Sequence, residues 1–453
     1  MRTPVVSQAV AWCLCLALTC TPAVAAPPSP VPPHPSSSGI HTEHALGALL
    51  AQAWARHPMA VAAQPRLQAA QAQQAAAQSL WAGAPAVVLQ AVGDGPARAV
   101  NQAAGRREIE AGLAWPVWRV GERALAQQRA QASLQLWHAR LQAERWQLAG
   151  ALREAWWAVW RAQADAQAAQ ARAEGLQRLH ADVARRVAAG DLARADGHQA
   201  AMAVAQAQAA LAEVQARHQQ ALSSLQALTG EPLVQGAPAE VSGPQPEPGM
   251  PPLSPEAQGE PGLPQPEGHP LLSLAHAQQA EAAAQARWQA VAADAPPELT
   301  VLGTRGREQA GEAWRQSVTV GLRWPLGDGG EAPARRLQAQ ADQLEAEAAT
   351  AQTATRLKAE WHSAQARWQA MVAQWQATQH QARLAQEARG FWVRAFELGE
   401  ADLPTRLRAE QEAHQALAAL ARAEIECRAA WSAWLQAQGR MPEAASVWPR
   451  PAP

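Results

Sequence analysis

Two hydrophobic periods alternate along this chain. Over residues 109–115, Ile109, Ala111, Leu113 and Trp115 oppose Glu110, Gly112 and Ala114; over 318–324, Val318, Val320, Leu322 and Trp324 oppose Thr319, Gly321 and Arg323. That period of two predicts strands with one apolar and one more polar face. Runs at 87–92 and 299–303 precede them across polar or Gly-rich loops, predicting two hairpins. A half-buried strand on a soluble sheet carries the same alternation, so the pattern alone leaves open what covers the apolar face.

Between the strands the period becomes helical. Residues 122–189 contain no Pro and almost no Gly, with Leu134, Leu141 and Leu148, then Leu152, Trp156 and Val159, at heptad-like spacing. A helix of that length is about 100 Å long at ~1.5 Å per residue, far longer than a globular helix. Gly190 is expected to end it, Asp191 to cap the return, and the return helix to run to Thr229 and Gly230. A second long helix is predicted over 332–396, with Trp361, Trp368 and Trp375, and Leu337 and Leu344, recurring every seven residues. Gly399 breaks it, and Asp402 is expected to cap a further helix to about residue 438, with Pro404 tolerated in its first turn. Shorter helices are predicted over 42–82, interrupted or bent at Pro58 and Pro65, and over 271–293.

These parts are duplicated. GLAWP at Gly112 returns as GLRWP at Gly321, and the break at Gly190 returns at Gly399, each after the same interval. The period is too long for a solenoid, so one body built from two similar halves is expected. Its divisions are a signal peptide (1–25), a flexible leader (26–41), a first repeat of helix, β-hairpin and long helical hairpin (42–230), a Pro/Gly-rich linker (231–270), a second repeat (271–439) and an irregular tail (440–453).

Compartment follows from the N-terminus. Arg2, an apolar run and Ala23-Val24-Ala25 read as a cleavable secretory signal. Cys13, Cys15 and Cys20 would leave with it, and the mature chain would keep only Cys427. A lipidated Cys20 is the competing reading, because Ala17-Leu18-Thr19-Cys20 resembles a bacterial lipobox with Thr at an unfavourable place. The formal net charge of -1 gives no reason to expect a nucleic-acid partner. With 20 Trp, 2 Phe and no Tyr, aromatic packing falls almost wholly to Trp. The Trp361, Trp368 and Trp375 stripe reads as helix-packing core, His41 and His44 as surface residues and Cys427 as a small packing residue. No nucleophile–base pair, phosphate loop or metal-ligand cluster stands out, so neither an enzyme nor a cofactor is expected.

Four strands per chain are too few for a closed membrane barrel, which takes about eight or more. Open edges cannot face lipid, so membrane strands of this kind must be pooled between chains. At this point the chain resembles the TolC family of outer-membrane efflux proteins over essentially its whole mature length. The resemblance rests on the two GL-x-WP strand ends, the two long helices, AGDLARAD with the helix ending at ALTGEP, and GEADL. REAWWAVWRAQ (153–163) together with GEADL leans toward the heavy-metal-efflux branch that includes CzcC and CusC.

The resemblance implies a mainly α fold with membrane β-structure: a homotrimer, a twelve-stranded barrel in outer-membrane lipid, and a periplasmic α-tunnel with shorter helices stacked end to end beside the long ones. It implies an aromatic girdle of Trp115, Trp118, Trp314 and Trp324. It also implies helix tips where a periplasmic adaptor and an inner-membrane pump engage, around Gly190, Asp191, Leu192, Asp196, Gly399, Glu400, Asp402 and Leu403. Thr405 stands opposite Asp196 in the repeat, so acidic symmetry between the tips fails there. The rival reading is a secreted or periplasmic coiled-coil adaptor without a pore. It explains the long hairpins and the signal, but not two strand pairs at equivalent points of a duplication.

Overall fold

The structure, a computed structural model, describes residues 42–93, 106–230, 268–291, 296–309, 311–326 and 330–442. The expected signal, leader, most of the linker, the end of the tail, His41 and the His44 side chain lie outside the described residues. Eight helices and four strands occur among those described: α1 (Thr42–Arg56), α2 (Pro58–Val61), α3 (Ala63–Ala77), β1 (Ala86–Gly93), β2 (Arg107–Pro116), α4 (Glu122–Ala189), α5 (Arg194–Thr229), α6 (Pro270–Val291), β3 (Glu298–Arg307), β4 (Arg315–Arg323), α7 (Ala332–Glu397) and α8 (Leu403–Ala437).

Helix, strand pair and long helical hairpin follow one another twice in this order. A His-Pro pair that the sequence patterns passed over stands at the start of α2 and again at the start of α6. His57 and His269 cap α2 and α6 through their Nδ1 atoms, which accept from Met59 N–H (3.3 Å) and Leu271 N–H (3.2 Å). Pro58 and Pro270 then occupy first-turn positions, where the missing N–H costs nothing. The helix expected over 42–82 is three pieces and stops at Ala77. The strand expected over 299–303 is longer, because β3 pairs with β2 as far as Arg107 opposite Arg307. Its polar Thr-Arg-Gly-Arg end lacks the apolar residues by which strands are recognised.

Helix packing follows the small residues. Packing of α4 on α5 and α8, and of α8 on α7, gives the order α5–α4–α8–α7; on the sheet side, α3 lies on α4, and α6 contacts both α4 and α7. Buried positions on α4 include Ala132, Ala139, Ala143 and Ala149, while Leu134 and Leu141 are half-buried. Alanine lets the axes approach, so the leucines are not the centre of the seam. The two glycines of α4 serve the same purpose: a Cβ at Gly150 or Gly175 would crowd Gln436 or His414 of α8. Short helices join the ends of long ones. Arg56 Nη1 donates to the Thr229 carbonyl (2.9 Å), linking α1 to the end of α5, and Gly439 after α8 abuts His269 and Pro270 at the start of α6.

Two Trp clusters hold α8 in place. Trp157 and Trp160 of α4 meet Ile425 and Ala429. Trp368 of α7 stacks on Trp434 (5.6 Å between centroids) and touches Trp431 (5.0 Å), beside the buried Cys427. The expected packing role of the Trp stripe thus centres on Trp368, with Trp361 and Trp375 half-buried. Arg161–Glu426 (2.6 Å) and Asp165–Arg422 form a reciprocal charge ladder between α4 and α8. Partly exposed pairs contribute about 0–1 kcal/mol each, less than the ~1.5–3 kcal/mol of one large buried apolar side chain. The indoles therefore dominate this seam.

His269 makes the α6 cap sensitive to acid. It is 3% exposed, its ring lies edge-on to Trp146, and burial followed by the charge of Arg356 lowers its pKa to about 4 from the ordinary 6.5. Between those values the unfolded chain binds a proton that the folded chain does not, so stability falls as pH drops through this window and is unaffected by His269 above it. Denaturation midpoints should therefore fall less between pH 6.5 and 4 for His269→Asn, which retains a capping acceptor, than for the parent; parallel profiles would remove His269 as the cause.

Candidate functional site

The four strands form one antiparallel sheet in the order β1-β2-β3-β4. Its register separates side chains by polarity. Val87, Leu113, Val301 and Val320 form one cross-strand row, Leu89, Ala111, Gly303 and Val318 another, and Trp115, Leu299 and Leu322 a third. All three rows lie on one face, which turns polar toward the β3–β4 connection with the row of Ala91, Ile109, Arg305 and Gln316. The opposite face carries Gln90, Glu110, Thr304 and Ser317 in one row and Val88, Gly112, Leu302 and Thr319 in the next. Thr304 Oγ1 donates to Glu110 Oε1 (3.4 Å) on this second face.

The apolar face is uncovered: Leu89 and Val318 are 75% exposed and Val320 68%. On the other face Gln90, Ser317 and Thr319 are exposed as well, while on the middle strands Glu110 and Leu302 are half-buried and Thr304 is 9% exposed. No helix packs across these strands among the described residues. In water each exposed Val or Leu would forgo about 1.5–3 kcal/mol of burial, and a contiguous patch of this kind marks a lipid- or partner-facing surface. The outer edges of β1 and β4 have no partner within the sheet. No described helix is long and apolar enough to cross a membrane.

The repeated glycines brace β3 from both sides. A Cβ at Gly112 would stand 2.1 Å from the Val301 carbonyl oxygen, and one at Gly321 2.7 Å from Thr300 Oγ1. No side chain fits at either place. Of the four predicted girdle residues, Trp115, Trp118 and Trp324 lie at the helical end of the sheet; Trp324 follows β4 rather than ending it. Trp118 Nε1 donates to the Ser79 carbonyl (3.2 Å). Trp314 lies at the opposite end, in the β3–β4 connection, with the guanidinium groups of Arg305 and Arg307 each 5.3 Å from its ring.

At the far ends of the helices the tips repeat to the level of single hydrogen bonds. Gly190 and Gly399 adopt φ of 89° and 77°, a left-handed conformation that glycine enters without strain. Around the first, Gly190 N–H donates to Val187 O (3.2 Å) and Asp191 N–H to Arg186 O (2.9 Å); around the second, Gly399 N–H donates to Phe396 O (3.2 Å) and Glu400 N–H to Ala395 O (2.8 Å). Both are Schellman closures.

The returning helices are capped reciprocally. Asp191 is not the cap of α5, because the turn extends to Ala193 before helical geometry resumes. Alanine offers no side-chain acceptor, and Asp196, three residues on, reaches back to accept from Ala193 N–H (3.2 Å). In the second tip Asp402 occupies the position equivalent to Ala193 and accepts from Thr405 N–H (3.1 Å). Hydrogen bonds from Thr405 hold the Asp402 carboxyl below its usual range. One carboxylate thus ties the same two backbone positions in each tip, from opposite ends, which accounts for the missing acidic symmetry at Thr405.

Behind the turns lies a shared core. Leu403 is 2% exposed and Phe396 3%. They pack with Leu176, Leu179 and Val183, and Leu192 lies against the cluster. Arg186 of α4 and Arg406 of α8 approach the Phe396 ring at 5.1 and 4.8 Å. Further up, Arg389 of α7 meets the buried Glu410 of α8 at 2.5 Å. Of the residues expected at the tips, Asp191, Gly190, Gly399, Glu400 and Asp402 are exposed, Leu192 and Asp196 half-buried, and Leu403 belongs to the core. Phe396, Arg186 and Arg406 were absent from the sequence expectations; one of only two Phe just ahead of a tip glycine was the available signal.

No protein-family model matches the sequence, and no curated protein matches it. Solved structures do. A membrane protein from Pseudomonas aeruginosa has a TM-score of 0.70 at 21% identity, over 94% of this chain and 98% of its own. The outer membrane protein VceC from Vibrio cholerae has 0.68 at 19%, over 88% and 97%. CusC, described by its transmembrane channel formation, has 0.68 at 17%, over 92% and 99%. This chain has the fold of those membrane proteins, with the long helices and four-stranded sheet per chain that its resemblance to the TolC family implied.

The tip core yields a direct contrast. Leu403→Ala should destabilise the protein by about 2–5 kcal/mol, while Asp191→Ala and Glu400→Ala leave the denaturation midpoint unchanged. Equal midpoints for all three would show that the cluster does not hold the tips.

Proposed function

We propose that this chain is the outer-membrane channel of a tripartite efflux system. Three copies pool four strands each into a twelve-stranded barrel, and their helices continue it as a tunnel through the periplasm. The observation that carries the reading is the segregated sheet, with an uncovered apolar face fit for lipid and a Glu-, Thr- and Gln-bearing face fit for a water-filled lumen. Backbone groups on the free edges of β1 and β4 would cost several kcal/mol each if left unpaired in hydrocarbon, and closure into a shared barrel removes both edges. The coiled-coil adaptor reading leaves that sheet without a purpose.

On this reading, Trp115, Trp118, Trp324 and Trp314 mark the two membrane interfaces. The tips form the periplasmic entrance, where an adaptor engages the exposed Asp191 and Glu400 with Gly190, Gly399 and Asp402, on turns held by Asp196, Leu192 and Leu403. An inner-membrane pump supplies energy and the channel conducts passively. The resemblance of the 153–163 stretch, together with GEADL at 399–403, to the heavy-metal-efflux branch is the ground for assigning heavy-metal cations as cargo. Selection of the cargo is assigned to the pump, as the resemblance implies. The N-terminal segment directs export, and the linker joins the repeats.

Membrane fractionation followed by electrophoresis without heating tests the assignment. The mature chain should occupy the outer membrane as a detergent-resistant species about three times its own mass; a soluble periplasmic monomer would return the reading to the coiled-coil adaptor. Deleting either tip, around Gly190 or Gly399, should abolish efflux and leave that trimer intact, and joint loss of trimer and efflux would make the tips structural instead.

A further inference from the structure

Beyond its apolar rows, the uncovered face of the sheet ends in arginines. Arg107 and Arg307 stand directly opposite each other in the β2–β3 register, and Arg305 lies two residues along β3, on the same side as Leu299, Val301 and Gly303. Like charges placed directly across a strand pair oppose folding, so a carboxylate among them would be the ordinary remedy. The face supplies none. Glu108 and Glu110 belong to the opposite side, where Arg106 takes Glu108 at 3.0 Å. Glu308 and Glu312 lie past the end of β3 and reach none of the three; among the described residues Arg107, Arg305 and Arg307 have no ion pair and no side-chain hydrogen bond.

Their neighbour is Trp314, whose ring holds the guanidinium groups of Arg305 and Arg307 at one spot. Arg307 Nε is buried there without a hydrogen-bond partner, while Arg107 and Arg305 are exposed. A ring face attracts charge but offers no oxygen to the N–H donors. The cluster is thus positioned and left without an anion.

Height decides which anion can reach it. On the channel reading the helices lie in the periplasm, so the Trp314 end of the sheet is the outer one. Arg307 follows Leu299 by eight residues, about 26 Å along a strand at ~3.3 Å per residue and about 20 Å once the strand is tilted by roughly 40°. The apolar band of a membrane barrel is about 25 Å tall. The arginines therefore stand where acyl chains give way to head groups, on the side turned to lipid.

The planar fork of arginine matches phosphate oxygens in pairs. We propose that Arg107, Arg305 and Arg307, steadied by Trp314, bind the phosphate of a lipid head group in the outer leaflet, one site on each copy, with the acyl chains lying along Leu113, Val301, Val318 and Val320. The site rests on the channel reading, which turns this face to lipid, and adds a ligand to it.

Native mass spectrometry of the purified full-length protein in detergent tests it, with lipid A, a glycolipid bearing phosphomonoesters, as the probe. The parent should carry one lipid A per copy. The triple variant Arg107→Gln, Arg305→Gln, Arg307→Gln should bind it on the order of 100-fold more weakly, as loss of several charge-assisted contacts implies. Arg315→Gln, at the same height on the opposite face, should leave binding unchanged, and lipid A stripped of its phosphates should bind the parent as weakly as lipid A binds the triple variant. Equal binding by parent and triple variant, or of phosphorylated and stripped lipid, overturns the site. Displacement of lipid A by inorganic phosphate at equal concentration also overturns it, by making the cluster a site for a free anion. A monomer on the unheated gel removes the channel reading itself, and an intact trimer with binding independent of the arginines rejects the site alone.

Discussion

A hydrogen-bonded strand edge has no partner in hydrocarbon, and a face of Val, Leu and Ile has no reason to face water. The sheet of β1 to β4 carries both conditions at once, and much else in the chain follows from meeting them together. Lipid satisfies the face, while only further strands satisfy the edges. In the proposed barrel the face of Glu110, Thr304 and Thr319 lines the interior, and Gly112 and Gly321 keep their backbone close to β3. On the proposed reading, one small sheet decides which side meets lipid and calls for strands from further copies.

The helices extend the same arrangement without a conventional core. Alanine seams bring α4 near its neighbours, Trp157, Trp160, Trp368, Trp431 and Trp434 supply the large buried surfaces, and the charge ladder between α4 and α8 contributes register more than energy. At the tips, two Schellman turns and two reciprocally placed aspartates hold the exposed loops over the Phe396 and Leu403 cluster. A rigid turn above a shared core suits a contact surface that must keep its shape while longer elements move behind it.

Much of this architecture was legible in the sequence because duplication repeats its punctuation. α4 lacks Pro, α7 has one only in its first turn at Pro333, and the two stop at Gly190 and just before Gly399, so their extent could be read nearly to the residue; the strand pairs could be read from alternation. What stayed hidden depended on geometry that pattern does not encode. Asp191 looked like a cap, yet four residues, 190–193, separate the helices and Asp196 reaches backward. Leu337 and Leu344 keep the seven-residue spacing yet are 67% and 58% exposed, because spacing alone does not say what a helix face meets. The end of β3 was missed because Arg305 and Arg307 do not resemble strand residues, although they pair in register with β2 and flank Trp314. Leu403 looked like a surface contact because it sits beside a turn, and only the packing against α4 shows it to be core.

The central claim is that the sheet faces lipid on one side and water on the other. Spin labels placed one at a time along β3 from Leu299 to Thr304, in the protein inserted in membranes, measure it through accessibility to oxygen and to a water-soluble nickel chelate. The account predicts a period of two, with positions 299, 301 and 303 open to oxygen and positions 300, 302 and 304 open to the chelate. Chelate access at every position, with no alternation, would contradict it.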